Sequence, residues 1–271
     1  MRLRLLLGLL AWTSSADALS ASVGSLQPTV VPATPVLATS SKALKPTPAA
    51  ARFAFLAGWT DVMTFTRHNM YVNMLTGNTI NLAMSLASLR WLDFGFFSAI
   101  VLSYAGFFAV LRNLIAAQKA GSAQRFAVWT AAPAVLLLFV LTDLALARTG
   151  GSRWAMALLA GGCGLVNSAC AETTGTITSM VTGHIQGIAR VLADAQRGAA
   201  DAASRRVARQ SLFVVASFAA GVAGGTAFAT GGVAARLMPA AVSLPAFSSL
   251  GVAYACILVL QDRAQRRLRQ M

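Results

Sequence analysis

Charge is the scarcest commodity in this chain. Only 11% of its 271 residues are Asp, Glu, Lys or Arg, against about 25% in ordinary soluble domains. Apolar residues make up 56%, and the mean hydropathy is +0.65. So little polar surface cannot cover a water-soluble core of that composition. An ordinary soluble enzyme and a disordered chain are excluded, and the chain reads as a polytopic membrane protein. Acids are rarer still, 8 against 22 basic residues, and there are 2 histidines. Little is left for acid–base chemistry. No H-E-x-x-H, G-x-S-x-G, P-loop or strand-borne G-x-G-x-x-G occurs. No catalytic residue and no enzyme activity is expected. The three cysteines, Cys163, Cys170 and Cys256, lie in apolar runs and have no zinc spacing. They exclude a disulfide scaffold and read as small buried apolar residues. No metal and no cofactor is expected.

The net charge of +14 does not imply a nucleic-acid partner. The basic residues fall between apolar runs, as Lys and Arg do in the cytoplasm-side loops of membrane proteins. The partners expected are a lipid bilayer and a small-molecule or ion substrate.

The first residues have a different character. Arg2 and Arg4 precede the apolar run from Leu5 to Trp12, and Ala16-Asp17-Ala18 follows. That is the plan of a signal peptide over 1–18. From 19 to 51 the chain is rich in Ala, Ser, Thr and Val and holds five of its eight prolines. No packed core can come from such a segment. It reads either as a plastid transit segment behind the signal peptide or as a linker in a secretory or plasma-membrane protein.

Beyond residue 51 come long apolar runs. Four, 93–117, 126–147, 210–232 and 238–260, are long enough to cross a bilayer unaided. Two others, 53–88 and 154–193, are too long for one span and are broken by polar residues and glycine. Each reads as two short helices, 53–66 with 72–88 and 154–171 with 176–193. Setting Thr76-Gly77 on Thr182-Gly183, a shift of 106, brings Met74 onto Met180, Gly58 onto Gly164, Asp61 onto Asn167 and Asn78 onto His184. In the following spans Ser103–Gly106 answers Phe218–Gly221 at a shift of 115. The expected fold is therefore all-α: a transmembrane helical bundle of two tandem repeats, 53–147 and 154–260. Each repeat is a broken helix pair followed by two long spans, six to eight helices in total. The membrane domain covers 52–262, and a basic tail covers 263–271.

These motifs carry a family resemblance. Phe55-Leu56-Ala57-Gly58-Trp59-Thr60-Asp61 with Met74-Leu75-Thr76-Gly77-Asn78-Thr79, and Thr173-Thr174 with Val181-Thr182-Gly183, resemble the two halves of the YoaK-like family of integral membrane proteins. The likeness spans about residues 52–262. It implies a membrane fold and no activity. Asn73 and Met74 stand where that family often has a small hydroxyl residue and a His, and His184 stands where a Thr or Asn is commoner.

Charge leaves the topology open. With eight crossings the two sides hold 13 and 5 basic residues. With six they hold 13 and 4, and Arg67 lies in the membrane. Eight crossings make the repeats parallel, and six make them inverted.

Polar residues at membrane depth are costly unless paired or wet, so they mark candidate sites. Asp61 binds a cation, carries a proton, or pairs with Arg67. Breaks at Thr76-Gly77-Asn78 and Thr182-Gly183-His184 free backbone groups that can hold an ion or a substrate carboxylate, or else serve close helix packing. With Asn73 and Asn167 these residues complete a candidate substrate- or ion-binding set. It is expected to form where the two broken regions meet.

Overall fold

The computed structural model describes residues 48–119, 121–177, 181–198, 201–229 and 247–270. The expected signal peptide, nearly all of the expected linker, and Met180 lie outside the described residues. Eight α-helices are described: α1 (Pro48–His68), α2 (Leu75–Ala87), α3 (Trp91–Ala116), α4 (Ala123–Arg148), α5 (Met156–Thr174), α6 (Val181–Gln196), α7 (Ala202–Ala229) and α8 (Phe247–Gln270). One 3₁₀ turn, Arg153–Ala155, leads into α5. No strand occurs among the described residues.

Local chemistry sets the helix ends. Pro48 opens α1 because its missing N–H is one the first turn leaves unbonded. The helix therefore starts five residues earlier than the apolar run suggests, and 48–51 belong to it rather than to a linker. Asn69 takes a left-handed φ of 52° and ends α1. Gly175, at φ 72°, does the same for α5. Asp201 caps α7 by accepting the Ser204 N–H at 2.7 Å. The Ser204 hydroxyl and N–H hold the Asp201 carboxyl below the usual carboxylate range. The start of α8 is capped from another helix: Asp143 of α4 accepts the N–H groups of Phe247 at 2.9 Å and Ser248 at 2.6 Å.

Four helical segments are long and apolar enough to cross a bilayer: Trp91–Ala116, Ala123–Arg148, Arg153–Thr174 and Ala202–Phe228. Three match expected spans. The third corresponds to the expected short helix 154–171, and with its 3₁₀ turn it is long enough to cross by itself. It is also the most enclosed helix, with every residue from Leu159 to Cys170 buried. The outer faces of the other spans remain apolar: Leu102 is 70% exposed and Leu137 57%. Such surface suits lipid contact.

Pairwise contacts fix the helix directions. α1 and α7 run parallel: Phe55 lies against Gly221, Gly58 against Val222, and Trp59 against Phe228. α3 and α5 also run parallel. Asp93 pairs with Arg153 at one end, Ser103 donates to the Ala157 carbonyl at 2.6 Å, and Arg112 pairs with Glu172 at 3.1 Å near the other end. α8 runs against both α1 and α4: Arg67 lies over the Phe247 ring and Phe53 stacks on Tyr254, while Asp143 meets Phe247 and Trp129 meets Asp262. Gln265 of α8 donates to the Thr173 carbonyl at 2.9 Å, which places the C-terminal ends of α5 and α8 together. Thus α1, α4 and α7 point one way, and α3, α5 and α8 the other.

Close backbone approach at two glycines makes the main interhelical packing possible. A methyl at Gly58 would overlap the Phe218 carbonyl and sit 3.0 Å from the Val222 nitrogen. A methyl at Gly164 would overlap the Tyr104 carbonyl and sit 3.2 Å from the Phe108 nitrogen. Small residues of this kind let helix backbones touch where lipid removes the hydrophobic drive to associate. Gly221 and Gly225 likewise seat α7 on Phe55 and Trp59 of α1.

Candidate functional site

The break between α1 and α2 is built around Asp61. Its Oδ1 accepts the backbone N–H groups of Val72 at 2.9 Å and Asn73 at 2.8 Å. Asp61 lies about two turns before the end of α1, so residues 69–74 fold back along the helix by roughly 10 Å. Stacking of Phe65 on Tyr71, centroids 4.9 Å apart, follows the same return path. Asn78 of α2 then clamps the connection: its Oδ1 accepts the Tyr71 N–H at 3.1 Å and its amide donates to the Tyr71 carbonyl. Unbonded peptide groups are costly at membrane depth, and these side chains satisfy them.

Asn73 joins this break to α5. Its amide donates to the Ala57 carbonyl at 3.4 Å, and its Oδ1 accepts from the Asn167 amide at 3.4 Å. Asn167 also donates to the Cys163 carbonyl, four residues back in α5, at 3.0 Å. Asp61 is 2% exposed, Asn73 5% and Asn167 1%. Three residues singled out from the sequence therefore form one buried polar centre. Asp61 does not pair with Arg67, which instead lies over the Phe247 ring with its centre 5.7 Å away. The Asp61 Oδ2 atom is buried and has no hydrogen-bond partner.

The remaining candidates stand elsewhere. Thr76 is exposed, and Gly77 packs on the Tyr71 ring. Thr182 and Gly183 are exposed, and a methyl at Gly183 would meet nothing within 4 Å. His184 is half-buried, with Nδ1 3.1 Å from the Ser211 hydroxyl and Nε2 3.3 Å from the Thr176 hydroxyl. α2 packs on α3, and α6 packs on α7. The two Thr-Gly breaks therefore do not come together as one pocket, because each short helix lies against the long helix that follows it in sequence. The second break has its own centre, His184 with Ser211 and Thr176.

Sequence reading missed Ser211 and Thr176, which look like any hydroxyl in an apolar helix. Position four before Asn167 was a usable signal for its back-bond to Cys163, since short polar side chains in membrane helices often bond that way. Cys163 and Cys170 are buried as expected, but Cys256 is exposed. One apolar groove of about 520 Å³ opens between α1, α7 and α8, beside Phe55, Leu56, Ala220 and Ala253. It does not include Asp61. Among the described residues no three His, Cys, Asp or Glu side chains gather as a metal-holding group.

A family model described as "Protein of unknown function (DUF1275)" matches residues 49–249. No curated protein and no solved structure matches the chain.

Proposed function

The chain belongs to the DUF1275 family, and from that premise we propose that it is a multi-pass membrane transporter of a small solute or ion, built from two inverted halves and held closed at Asp61. The YoaK-like resemblance is our finer reading of the same motifs.

The reading of two halves draws support from matched contacts. Gly58 on α7 and Gly164 on α3 are the same contact 106 residues apart. Their partners, Phe218 with Val222 and Tyr104 with Phe108, differ by 114. The long spans therefore align one residue away from the shift of 115 expected from sequence. Phe55 against Gly221 recurs as Gly161 against Phe107, with large and small residues exchanged. Asn78 and His184, 106 residues apart, each bond back to the connection before their helix, Asn78 to Tyr71 and His184 to Thr176. Since α1 and α5 run oppositely, the halves are inverted, the arrangement found in many secondary transporters. With α1 to α2 and α5 to α6 each counted as one crossing, there are six.

Arg52, Arg112, Lys119, Arg125, Arg190, Arg197, Arg205, Arg206, Arg209, Arg263, Arg266, Arg267 and Arg269 then share one side. That is the cytoplasm-like side by the charge rule.

The observation that carries transport is a buried carboxylate, with one oxygen unpaired, at a helix break where the halves meet. Intramembrane ionisable groups of this kind mark substrate or ion pathways. Nothing in this reading calls for enzyme chemistry. The test is flux: wild-type protein in proteoliposomes should move at least one solute or ion from a broad panel, and Asp61→Asn should abolish the coupling. Inert wild type across the panel would overturn the reading. A second reading, a membrane scaffold whose repeats serve packing only, is favoured by the sealed surroundings of Asp61. A partner that co-purifies in fixed ratio with a flux-inert protein would support it.

A further inference from the structure

Seven acidic residues lie among the described residues, and six of them are compensated. Asp93, Glu172, Asp194 and Asp262 each sit on an arginine. Asp143 and Asp201 cap helices. Asp61 alone has neither a cation nor a whole helix end. It is the most enclosed of the seven, and no Lys, Arg or His forms an ion pair with it among the described residues. A lone carboxylate in that setting is expensive, and several kcal/mol is the usual scale for an unpaired buried ion.

The two oxygens of Asp61 are also unlike. Oδ1 takes two backbone N–H groups, which fills it as an acceptor. Oδ2 is buried and makes no hydrogen bond. A neutral carboxyl group has this asymmetry: one oxygen that only accepts, and one that bears a proton and must donate. The other half of the molecule holds the uncharged counterpart. Asn167, 106 residues on, carries an amide donor that reaches the carbonyl four residues back, Cys163, at 3.0 Å. The carbonyl four residues back from Asp61 is Ala57, now held by the Asn73 amide at a long 3.4 Å.

Resting on the transport reading, we infer that Asp61 is a one-proton site. Its Oδ2 carries the proton while the bundle is closed and donates it to the Ala57 carbonyl, as Asn167 donates to Cys163. When the 69–74 connection swings away from α1, water reaches Oδ2, the O–H bond breaks, the proton leaves to water and the carboxylate keeps the electron pair. Asn73 leaves the Ala57 carbonyl with the connection, so proton loss and movement of the connection are one event. The charged and titratable neighbours are few. α5 faces Asp61 with Cys163 and α8 with Tyr254, both uncharged side chains. α7 offers no titratable residue between Ser211 and Ala229. Arg67 and His68 lie at the end of its own helix.

Infrared spectroscopy of the full chain in lipid nanodiscs reads this directly. Wild type at neutral pH should show a protonated-carboxyl C=O band that shifts down in D₂O. The band should vanish in Asp61→Asn, which keeps wild-type thermal stability because an amide copies the neutral acid. Should that variant fail to fold, Asp61→Glu provides the check, since it should move the band without removing it. Absence of the band from wild type at neutral pH overturns the inference, as does its survival in Asp61→Asn. Sodium-dependent stabilisation of wild type that Asp61→Asn lacks would also overturn it, in favour of a metal cation. The band is read from protein alone, so failure of flux and failure of the proton site are separate results.

Discussion

Gly164→Ala is the most informative small change, because it adds one methyl at a backbone-to-backbone contact. The new carbon would overlap the Tyr104 carbonyl oxygen and lie 3.2 Å from the Phe108 nitrogen. Backbone atoms cannot rotate away as a flexible side chain can, so α3 and α5 must separate. Overpacking of a close-packed site costs about 1–3 kcal/mol, and a clash with backbone belongs at the upper end. Ala offsets roughly 1 kcal/mol of this, since it favours helix over glycine. A net loss of about 1–2 kcal/mol remains, or roughly 2–8 °C in Tm for a chain of this size. Gly58→Ala probes the matching α1–α7 contact, where the carbon would overlap the Phe218 carbonyl, and should fall by a similar amount. Gly183→Ala is the control: it meets nothing within 4 Å and should be neutral or slightly stabilising. Thermal unfolding of the three variants in one detergent, followed by intrinsic fluorescence or loss of the monodisperse peak, gives the comparison. Equal Tm values for Gly164→Ala and Gly183→Ala would refute the close approach of α3 and α5.

Asp143→Ala removes the cap that α4 lends to α8 and should cost about 1 kcal/mol by thermal unfolding, in the range for lost N-caps. Asp143→Asn, which keeps an acceptor, should lose less. Asp201 is held ionised below the usual carboxylate range, so its contribution is complete above the unfolded carboxyl range and is lost as pH falls through its own lower value. Hydrogen exchange at the first turn of α7 should therefore rise at acid pH in wild type, whereas Asp201→Asn should show no such acid-linked rise. Arg112→Gln breaks a pair whose side chains are both about a third exposed and should change stability by less than about 1 kcal/mol. A larger drop in unfolding temperature would mean that Glu172 is far more enclosed than it is here.

Much of the fold was legible because lipid imposes strict rules. The breaks were visible as polar residues and glycine inside runs too long for one span, and four of the eight helices, α2 to α5, begin and end within a few residues of the hydrophobic pattern. α1 and the start of α7 were harder to bound. Pro48 to Ala51 read as linker because alanine and proline carry no periodicity, and Ala202 to Arg209 read as a joint because arginine at a membrane edge can be helix or loop. The last span was less legible still, since its expected beginning at 238 lies outside the described residues. The polar centre was only half readable. Asp61, Asn73 and Asn167 were each conspicuous as polar groups in apolar surroundings, but nothing in the order of residues says that Asn73 spans from Ala57 to Asn167. That link depends on how far the 69–74 connection folds back, and that depth is set by two backbone N–H groups with no signature of their own. The placing of His184 away from Asp61 was equally hidden, because it follows from α6 choosing α7 as its neighbour.

Orientation across the bilayer is the most direct test of the central claim, two inverted halves meeting at a buried carboxyl. In a Cys256→Ser background, single changes Lys119→Cys, Gly150→Cys and Gln270→Cys are exposed in intact vesicles to a thiol reagent that cannot cross lipid. Inverted halves predict that positions 119 and 270 share one accessibility and that position 150 has the other. Positions 150 and 270 labelling together, with 119 protected or exposed alone, would contradict the account.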